Sequence, residues 1–356
     1  MDASELVRLD EKELIRRVGA VHVYSRVTPS QKLKIVKAIK ASGQTVAMTG
    51  DGINDSPALK AADIGIAMGR TGTDLARDVA DVVLSRDNIE LMAEALADGR
   101  CIYQNIRKAV HFSLSTNISE IQLILTALAA GLNSPLNVMQ LLWINLISDV
   151  LPGLALSAEK PEQDVMEQQP RNPEDPLFSK KDFRGMFIES GTITAGAMGA
   201  FLYGISRYGT GAMAGGLAFQ ALTFGQLFHA LSCRSETTGI FTKKKLPRNP
   251  YMNWAIGGSL MIQVMSLFLP PLRSLLGLSA ITLMDGLVIG AASTMPFLFN
   301  EANKAVKETL SLRQGLPGRG GEGDAPDVKE ADALKTEDPG GPDLENMAAG
   351  FKHFCN

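Results

Sequence analysis

Polarity along this 356-residue chain is segregated, and that segregation limits its folding options more than any other feature. Residues 1–100 and 301–356 are polar and charged, whereas 101–300 concentrate Leu, Ile, Met, Phe and small residues, a division that the mean hydropathy of +0.06 conceals. A soluble domain mixes the two classes; a chain divided in this way is expected to place one part in water and another in lipid. From Ile89 to Leu132 no proline interrupts the sequence. The first half, NIELMAEALADGRCIYQNIRKAVHF, is charged and amphipathic, and the second, SLSTNISEIQLILTALAAGL, is apolar. One helix over this stretch would extend roughly 60 Å at about 1.5 Å per residue, a stalk running unbroken into a membrane span. Five further spans are predicted at about 136–156, 184–205, 215–233, 252–270 and 278–299.

The connections between these spans carry an orientation signal. Loops 158–184 and 234–250 hold ten basic residues (Lys160, Arg171, Lys180, Lys181, Arg184; Arg234, Lys243, Lys244, Lys245, Arg248). The opposite connections, 131–135, 206–214 and 271–277, hold two, Arg207 and Arg273. Positive charge is retained on the cytoplasmic side, so both termini are expected there. The first twenty residues are charged and do not read as a signal peptide. A net charge of −3 gives no reason to expect nucleic acid, and Cys101, Cys233 and Cys355 show no spacing suited to a disulfide framework or a zinc site. Beyond Arg313 the Gly, Pro, Asp and Glu composition predicts a disordered tail, with MAAGFKHF as a short docked element at most.

Residues 1–100 read as alternating strand and helix, the signature of a parallel sheet with ligand loops at the strand ends. Strands are expected at VHVYSRV (21–27), at TVAMT (45–49, fully buried), at IGIAM and at DVVL. Helices are expected after Thr28 or Ser30, with Gly43 closing the first, then over Ser56–Ala62 and near 72–80. The loop TGDGIND follows the second of these strands. Asp51 and Asp55 with Asn54 between them, beside Gly50 and the turn-permitting Gly52, offer hard oxygen donors suited to Mg²⁺. The Thr49 hydroxyl stands where it can reach a phosphoryl oxygen. Taken bare, the same letters also make an ordinary turn.

Within the apolar half, ionisable groups mark function by default. Asn117 and Glu120 share a face of the first span, and Asn145, Ser148 and Asp149 share one in the second. Pro152-Gly153 just beyond can free carbonyl oxygens. Two carboxylates, two amides and a hydroxyl make an oxygen-rich cage for a hard cation; the plainer alternative is polar glue between helices. Glu189 reads as interfacial and Asp285 as a packing partner. His111 and His229 read as packed or interfacial residues rather than ligands, and the methionines as lipid-facing packing.

Three stretches carry a family resemblance: RVTPSQK (Arg26–Lys32), MTGDGINDSPALKAADIGIAMG (Met48–Gly69) and DVVL-x-x-x-N-I (Asp81–Ile89). They resemble the P-type cation-transporting ATPases of the haloacid-dehalogenase-like superfamily, over about residues 15–305. The resemblance implies a partial Rossmann-like sheet in residues 1–100, the C-terminal part of a phosphorylation domain with its stalk. It further implies a six-helix transmembrane bundle over 101–305 and a cytoplasmic tail over 306–356. It gives Lys32 contact with a phosphorylated aspartate, Asp51 the Mg²⁺, Thr49 and the Gly50–Gly52 loop the phosphate, and Asn54 and Asp55 supporting roles. The N-x-S-E and N-L-x-[ST]-D-x-L-P patterns are similar to the calcium-pump branch. Gln226 falls where two-site calcium pumps carry glutamate and one-site pumps glutamine. The implied cargo is a divalent cation, Ca²⁺ first and Mn²⁺ second, with the plasma membrane as expected location.

The chain has no DKTGT, no TGES and no KGAPE-type stretch. It therefore reads as the rear portion of a pump, membrane helices five to ten with half of a phosphate site. ATP turnover is expected only with an N-terminal pump half. The rival readings are a non-catalytic regulatory or truncated membrane protein that keeps the fold, and a small stand-alone phosphatase, which the missing nucleophile disfavours.

Overall fold

The computed structural model describes residues 1–313, apart from 86–87, 89, 163–164, 173, 236–237, 240 and 242–245. The expected tail beyond Arg313, Cys355, Ile89 and the lysines at 243–245 lie outside the described residues. Two short helices, α1 (Ala3–Arg8) and α2 (Glu11–Arg17), pack Leu6 and Leu14 against α3 (Pro29–Ala41), joined by Val18 of the 3-10 turn that follows α2. Thr28 caps α3 through a capping box with Gln31, and Pro29 occupies its first turn, where a missing N–H is harmless. The sheet is parallel, in the order β1 (Ala47–Gly50), β2 (Ile64–Met68), β3 (Val82–Leu84), with Thr49 beside Ile66 and Ala67 beside Val83. Helices α4 (Ser56–Ala61) and α5 (Asp74–Val79) are the crossovers. Leu59, Ala67 and Ala76 form the fully buried centre of this layer.

Two expectations for this region are corrected. Residues 21–27 form no named strand. Their backbone instead pairs with the N-terminus, Ala3 N–H to Ser25 O and Ser25 N–H to Met1 O, leaving an isolated bridge between Asp2 and Ser25. In consequence β1 has a strand on one side only, and it is exposed or half-buried along its length rather than fully buried.

The stalk helix α6 runs unbroken over Glu90–Ala129, 40 residues. It is followed by α7 (Val138–Trp143), a π-turn (Ile144–Ser148), α8 (Val150–Ser157), α9 (Lys180–Tyr208), α10 (Ala212–Ser232), α11 (Pro250–Phe268), α12 (Pro270–Leu276) and α13 (Leu283–Arg313). Thus α13 continues past residue 306, where the tail was expected to begin. Helix α10 is the hub. Its residues are buried along almost the whole length, by α9, α13, α6, α8 and α11. Gly196 in α9 permits one close approach, because a Cβ there would lie 2.2 Å from the Ala292 carbonyl of α13.

The six expected spans fall largely on helix, but 278–282 precede α13 and the span at 252–270 crosses the break between α11 and α12. By length and composition, however, two stretches among the described residues suffice to cross a membrane, Val138–Ser157 and Leu283–Leu310, with α11 and α12 as a third if that pair, bent by 91°, counts as one span. The reason lies in packing. α6, α9 and α10 turn polar side chains toward one another inside the bundle, among them Ser119, Glu120, Ser190 and Gln226, while Gln220 of α10 faces Gln263 and Ser266 of α11, and these residues lower the hydropathy of the three helices. Large apolar side chains such as Leu125, Phe187, Trp254, Met261, Leu283 and Phe299 point outward, a surface suited to hydrocarbon.

The two ends of the bundle are distinct. At one end, Asn105 and Lys108 of α6 hold the chain leaving α8, by Asn105 Nδ2 to Glu159 O (2.7 Å) and Lys108 Nζ to Glu162 (2.8 Å). Arg234, just past α10, pairs with Glu159 at 2.6 Å. At the other end, Asn137 and Gln140 both donate to the Leu276 carbonyl, and Tyr208 donates to Asp285. The two long loops therefore emerge on the same end as the sheet, and the short connections on the far end.

Candidate phosphate loop and cation cage

The acidic loop is built on the C-terminal end of β1. After Gly50 the chain makes a single 3-10 turn over Ile53–Asp55, closed by Asp55 N–H to Gly52 O at 3.0 Å, and α4 begins at Ser56. Thr73 N–H donates to Asp51 O at 2.9 Å and ties this loop to the one before α5. Asp55 is buried and pairs with Lys32 Nζ of α3 at 2.5 Å. Asp51 and Asn54 are exposed, and Thr49 is half-buried beneath them. The structure thus unites Lys32 with Asp55 directly and leaves Asp51 open above the strand end.

The glycine requirement is relocated. Gly52 has φ −119°, which any residue adopts, and a Cβ there would find Asn54 N at 3.9 Å. At Gly50 a Cβ would sit 2.5 Å from the Asp55 Cβ, so it is Gly50 that lets Asp55 fold back under the loop. Asp51, an exposed carboxylate with no hydrogen bond or ion pair among the described residues, has the chemistry to hold Mg²⁺.

In the bundle, Glu120 of α6 is 5% exposed and reaches two other helices. Its Oε2 accepts from Asn145 Nδ2 (3.3 Å), and its Oε1 from Gln226 Nε2 (3.4 Å) on α10. The Gln226 amide also donates to Thr116 O and Ser119 Oγ, both at 3.2 Å, while its own Oε1 is buried without a partner. Ser148 is 1% exposed, and both carboxylate oxygens of Asp149 are buried with no hydrogen-bond partner within 3.5 Å among the described residues. Asn117 donates to Ser113 O at 2.7 Å and is half-buried; Asn145 donates to Leu141 O and is exposed. The cluster is thus walled by α6, α10 and the π-turn, and open on the side of Asn145.

Asn145, Ser148 and Asp149 do not share a regular α-helical face as expected. They span the π-turn, in which Asp149 N–H bonds Ile144 O five residues back, at 3.0 Å. Pro152 explains the irregularity: it cannot donate to the Ser148 carbonyl and its ring crowds that oxygen, and the extra residue of a π-turn absorbs the conflict. The loosened backbone therefore lies one turn before Pro152-Gly153, which themselves sit inside α8. A buried carboxylate without a donor is costly unless a cation or proton joins it. With Glu120 and the Gln226 carbonyl oxygen nearby, the set is suited to a hard cation.

Asp285, expected as a packing partner, is fully buried and receives Tyr203 Oη, Tyr208 Oη and Thr282 N–H and Oγ. His111, Glu189 and His229, read from sequence as interfacial or packed, converge from three helices. Histidines within apolar spans were the available signal, but nothing in the spacing revealed that they meet.

Comparison with known proteins gives matches in both the sheet segment and the bundle. A haloacid dehalogenase-like hydrolase family matches residues 8–63, and the C-terminus of cation transporting ATPases matches residues 133–306. The chain is 38% identical over 323 residues to calcium-transporting ATPase 1 of Bacillus cereus, covering 86% of this chain and 36% of that one. It is 40% identical over 302 residues to a calcium-transporting ATPase of Bacillus subtilis, covering 83% and 33%. Against human calcium-transporting ATPase type 2C member 2 it is 37% identical over 306 residues, covering 85% and 32%. It spans about a third of the length of these curated relatives. Sheet, acidic loop and bundle together define a membrane protein with transmembrane helices and a hydrolase-like segment. The chain belongs to the P-type cation-transporting ATPases, of which it is a C-terminal part.

Proposed function

We propose that this chain supplies the cation cage and half of the phosphate site of an ATP-driven Ca²⁺ pump. The observation that carries the reading is Glu120, held between Asn145 and Gln226, close to a buried Asp149 carboxylate with no hydrogen-bond partner within 3.5 Å among the described residues. Glu120, Asp149, Asn117, Asn145, Ser148 and Gln226 are the proposed ligand set, and Ca²⁺, which takes six to eight oxygens in flexible geometry, is the proposed cargo. The open side by Asn145 is where a further helix, from outside these 356 residues, would complete the cage.

On the cytoplasmic side, Asp51 would hold Mg²⁺, which supplies charge neutralisation for a transferring phosphoryl group. Thr49 and the Gly50–Gly52 backbone are placed to contact that group. Lys32 reaches it from its present pairing with Asp55, and Asn54 and Asp55 fix the loop. Such fixed donors act by electrostatic stabilisation. The acceptor aspartate and the nucleotide-binding stretch are absent from this sequence and would be contributed by an N-terminal pump half. Six membrane crossings, cytoplasmic termini and plasma-membrane residence complete the reading, supported by the loop charges and by the shared end of the long loops and the sheet.

The test is phosphorylation. Membranes containing only this chain, given labelled ATP, Mg²⁺ and Ca²⁺, are expected to yield no acid-stable phosphoprotein, and co-expression with an N-terminal half bearing DKTGT is expected to restore it. Failure of that pairing to form phosphoprotein, with both pieces present in the membrane, favours a non-catalytic membrane protein instead.

A further inference from the structure

Away from the cage, three helices bring metal-ligating atoms to one point. His111 on α6, Glu189 on α9 and His229 on α10 each offer one donor atom, and the three lie within 4.8 Å of one another. His111 Nε2 is 2.9 Å from Glu189 Oε2, and His229 Nε2 is 3.8 Å from the same oxygen. The two imidazoles meet edge to face, with centroids 6.2 Å apart. Around a tetrahedral ion with bonds of about 2.0–2.2 Å, neighbouring donors stand roughly 3.2–3.6 Å apart. The observed separations straddle that range, so modest side-chain shifts would admit an ion.

The surroundings suit an ion as well. The His229 side chain is 2% exposed and fixes one wall, whereas the Glu189 side chain is 30% exposed and leaves an approach. The Cys233 sulfur lies 3.3 Å from His229 Nε2, placing a soft donor beside the cluster. Two imidazoles and a carboxylate favour borderline ions such as Zn²⁺ and Co²⁺, whereas the all-oxygen cage favours Ca²⁺. His229 stands three residues after Gln226 on α10, and His111 nine residues before Glu120 on α6. An ion at this point would tie together both helices that carry Glu120 and Gln226.

We propose that His111, Glu189 and His229 form a second metal site, selective for first-row transition ions and distinct from the cation cage. It joins α6, α9 and α10 into one cross-linked unit. The proposal does not depend on ATP-driven transport, because this chain alone contains all three ligands.

Its test uses the full chain, purified in detergent, with Co²⁺ as an optical probe in the presence of excess Ca²⁺ that occupies oxygen sites. Visible d–d absorption of the intensity typical of tetrahedral Co²⁺ is expected, displaced by stoichiometric Zn²⁺ and retained in Glu120→Gln. His111→Asn and His229→Asn are expected to abolish it. Glu189→Gln changes a partly exposed residue at nearly constant shape, so it reports even if the buried His229 variant does not fold; at least tenfold weaker Co²⁺ binding is expected. Absence of the absorption in the wild-type chain overturns the proposal, as does absorption that persists unchanged in Glu189→Gln.

Discussion

At Gly50 a single methyl group decides whether the acidic loop can form. A Cβ there would lie 2.5 Å from the Asp55 Cβ and 3.2 Å from its Oδ2, so Gly50→Ala must displace the carboxylate that Lys32 holds. Overpacking of this kind costs about 1–3 kcal/mol. Thermal unfolding of the detergent-solubilised chain, followed by proteolysis of the sheet, should show that loss, whereas Gly52→Ala should be near neutral. Equal effects at both positions would contradict the relocated glycine. Asp63 offers a second residue-level test. The Val46 N–H, bonded to Oδ2 at 2.9 Å, and then the Lys40 ammonium hold its carboxyl below the ordinary value of 3.8. A depressed folded value means that the stabilisation is present above the unfolded pKa and is lost as pH falls through the folded one. The stability difference between wild type and Asp63→Ala is therefore expected to be constant near neutral pH and to shrink below about pH 4. A difference that grows on acidification would be incompatible with this pairing. From the letters alone, TGDGIND was readable as a loop of hard donors. Which glycine is sterically required was not, because the contact at Gly50 depends on where Asp55 returns in space.

Among elements, α6 links the sheet to the cage. Its prolineless run was legible in the sequence, and the structure carries it through 40 residues without a break. Its register is locked midway: Arg100 donates to Val165 O and Gln168 O, Asn105 to Glu159 O and Lys108 to Glu162, all on the segment that follows α8. Arg171 lies over the Tyr103 ring at 4.4 Å. Because α8 follows the π-turn directly, a shift of α6 is passed to both walls that supply Glu120 and Asp149. Inserting two residues after Tyr103 rotates the cage relative to the sheet by roughly 200°. In a complete pump the insertion is expected to abolish ion-dependent phosphorylation while leaving the protein in the membrane; retained phosphorylation at the original Ca²⁺ concentration would show that α6 does not couple the two sites. The π-turn itself was not legible. Pro152 pointed to a disturbed backbone, but periodicity assumes a constant 3.6 residues per turn and so put Asn145, Ser148 and Asp149 on one regular face. The strand expected over 21–27 failed for a related reason. Its alternating apolar residues fit a strand, yet its hydrogen bonds go to Met1 and Ala3 instead of the sheet.

For the whole molecule, the arrangement is a bundle whose two ends differ in chemistry. The ion pairs Lys108–Glu162 and Arg234–Glu159 gather on the end near the sheet, and the Asp285–tyrosine cluster lies on the other. On a Cys355→Ser background, with Cys101 and Cys233 buried, Lys160→Cys should react with an impermeant maleimide only from the cytoplasmic side. Thr210→Cys should react only from the opposite side, and labelling of both from one side would overturn the six-crossing orientation. That orientation is an expectation from loop charge, which this labelling tests. The number of crossings was less legible, because polar residues that face neighbouring helices lower the hydropathy of α6, α9 and α10. The central claim is that the cage and the acidic loop serve one cycle, and Asp149→Asn in a complete pump containing this chain tests it most directly. Phosphoprotein should be measured from labelled ATP with Ca²⁺ and, separately, from labelled inorganic phosphate with Mg²⁺ and no Ca²⁺. The expected result is loss of the first by at least tenfold with retention of the second, since the loop is intact and only the cage is impaired. Wild-type phosphorylation from ATP at unchanged Ca²⁺ dependence in Asp149→Asn would contradict the account.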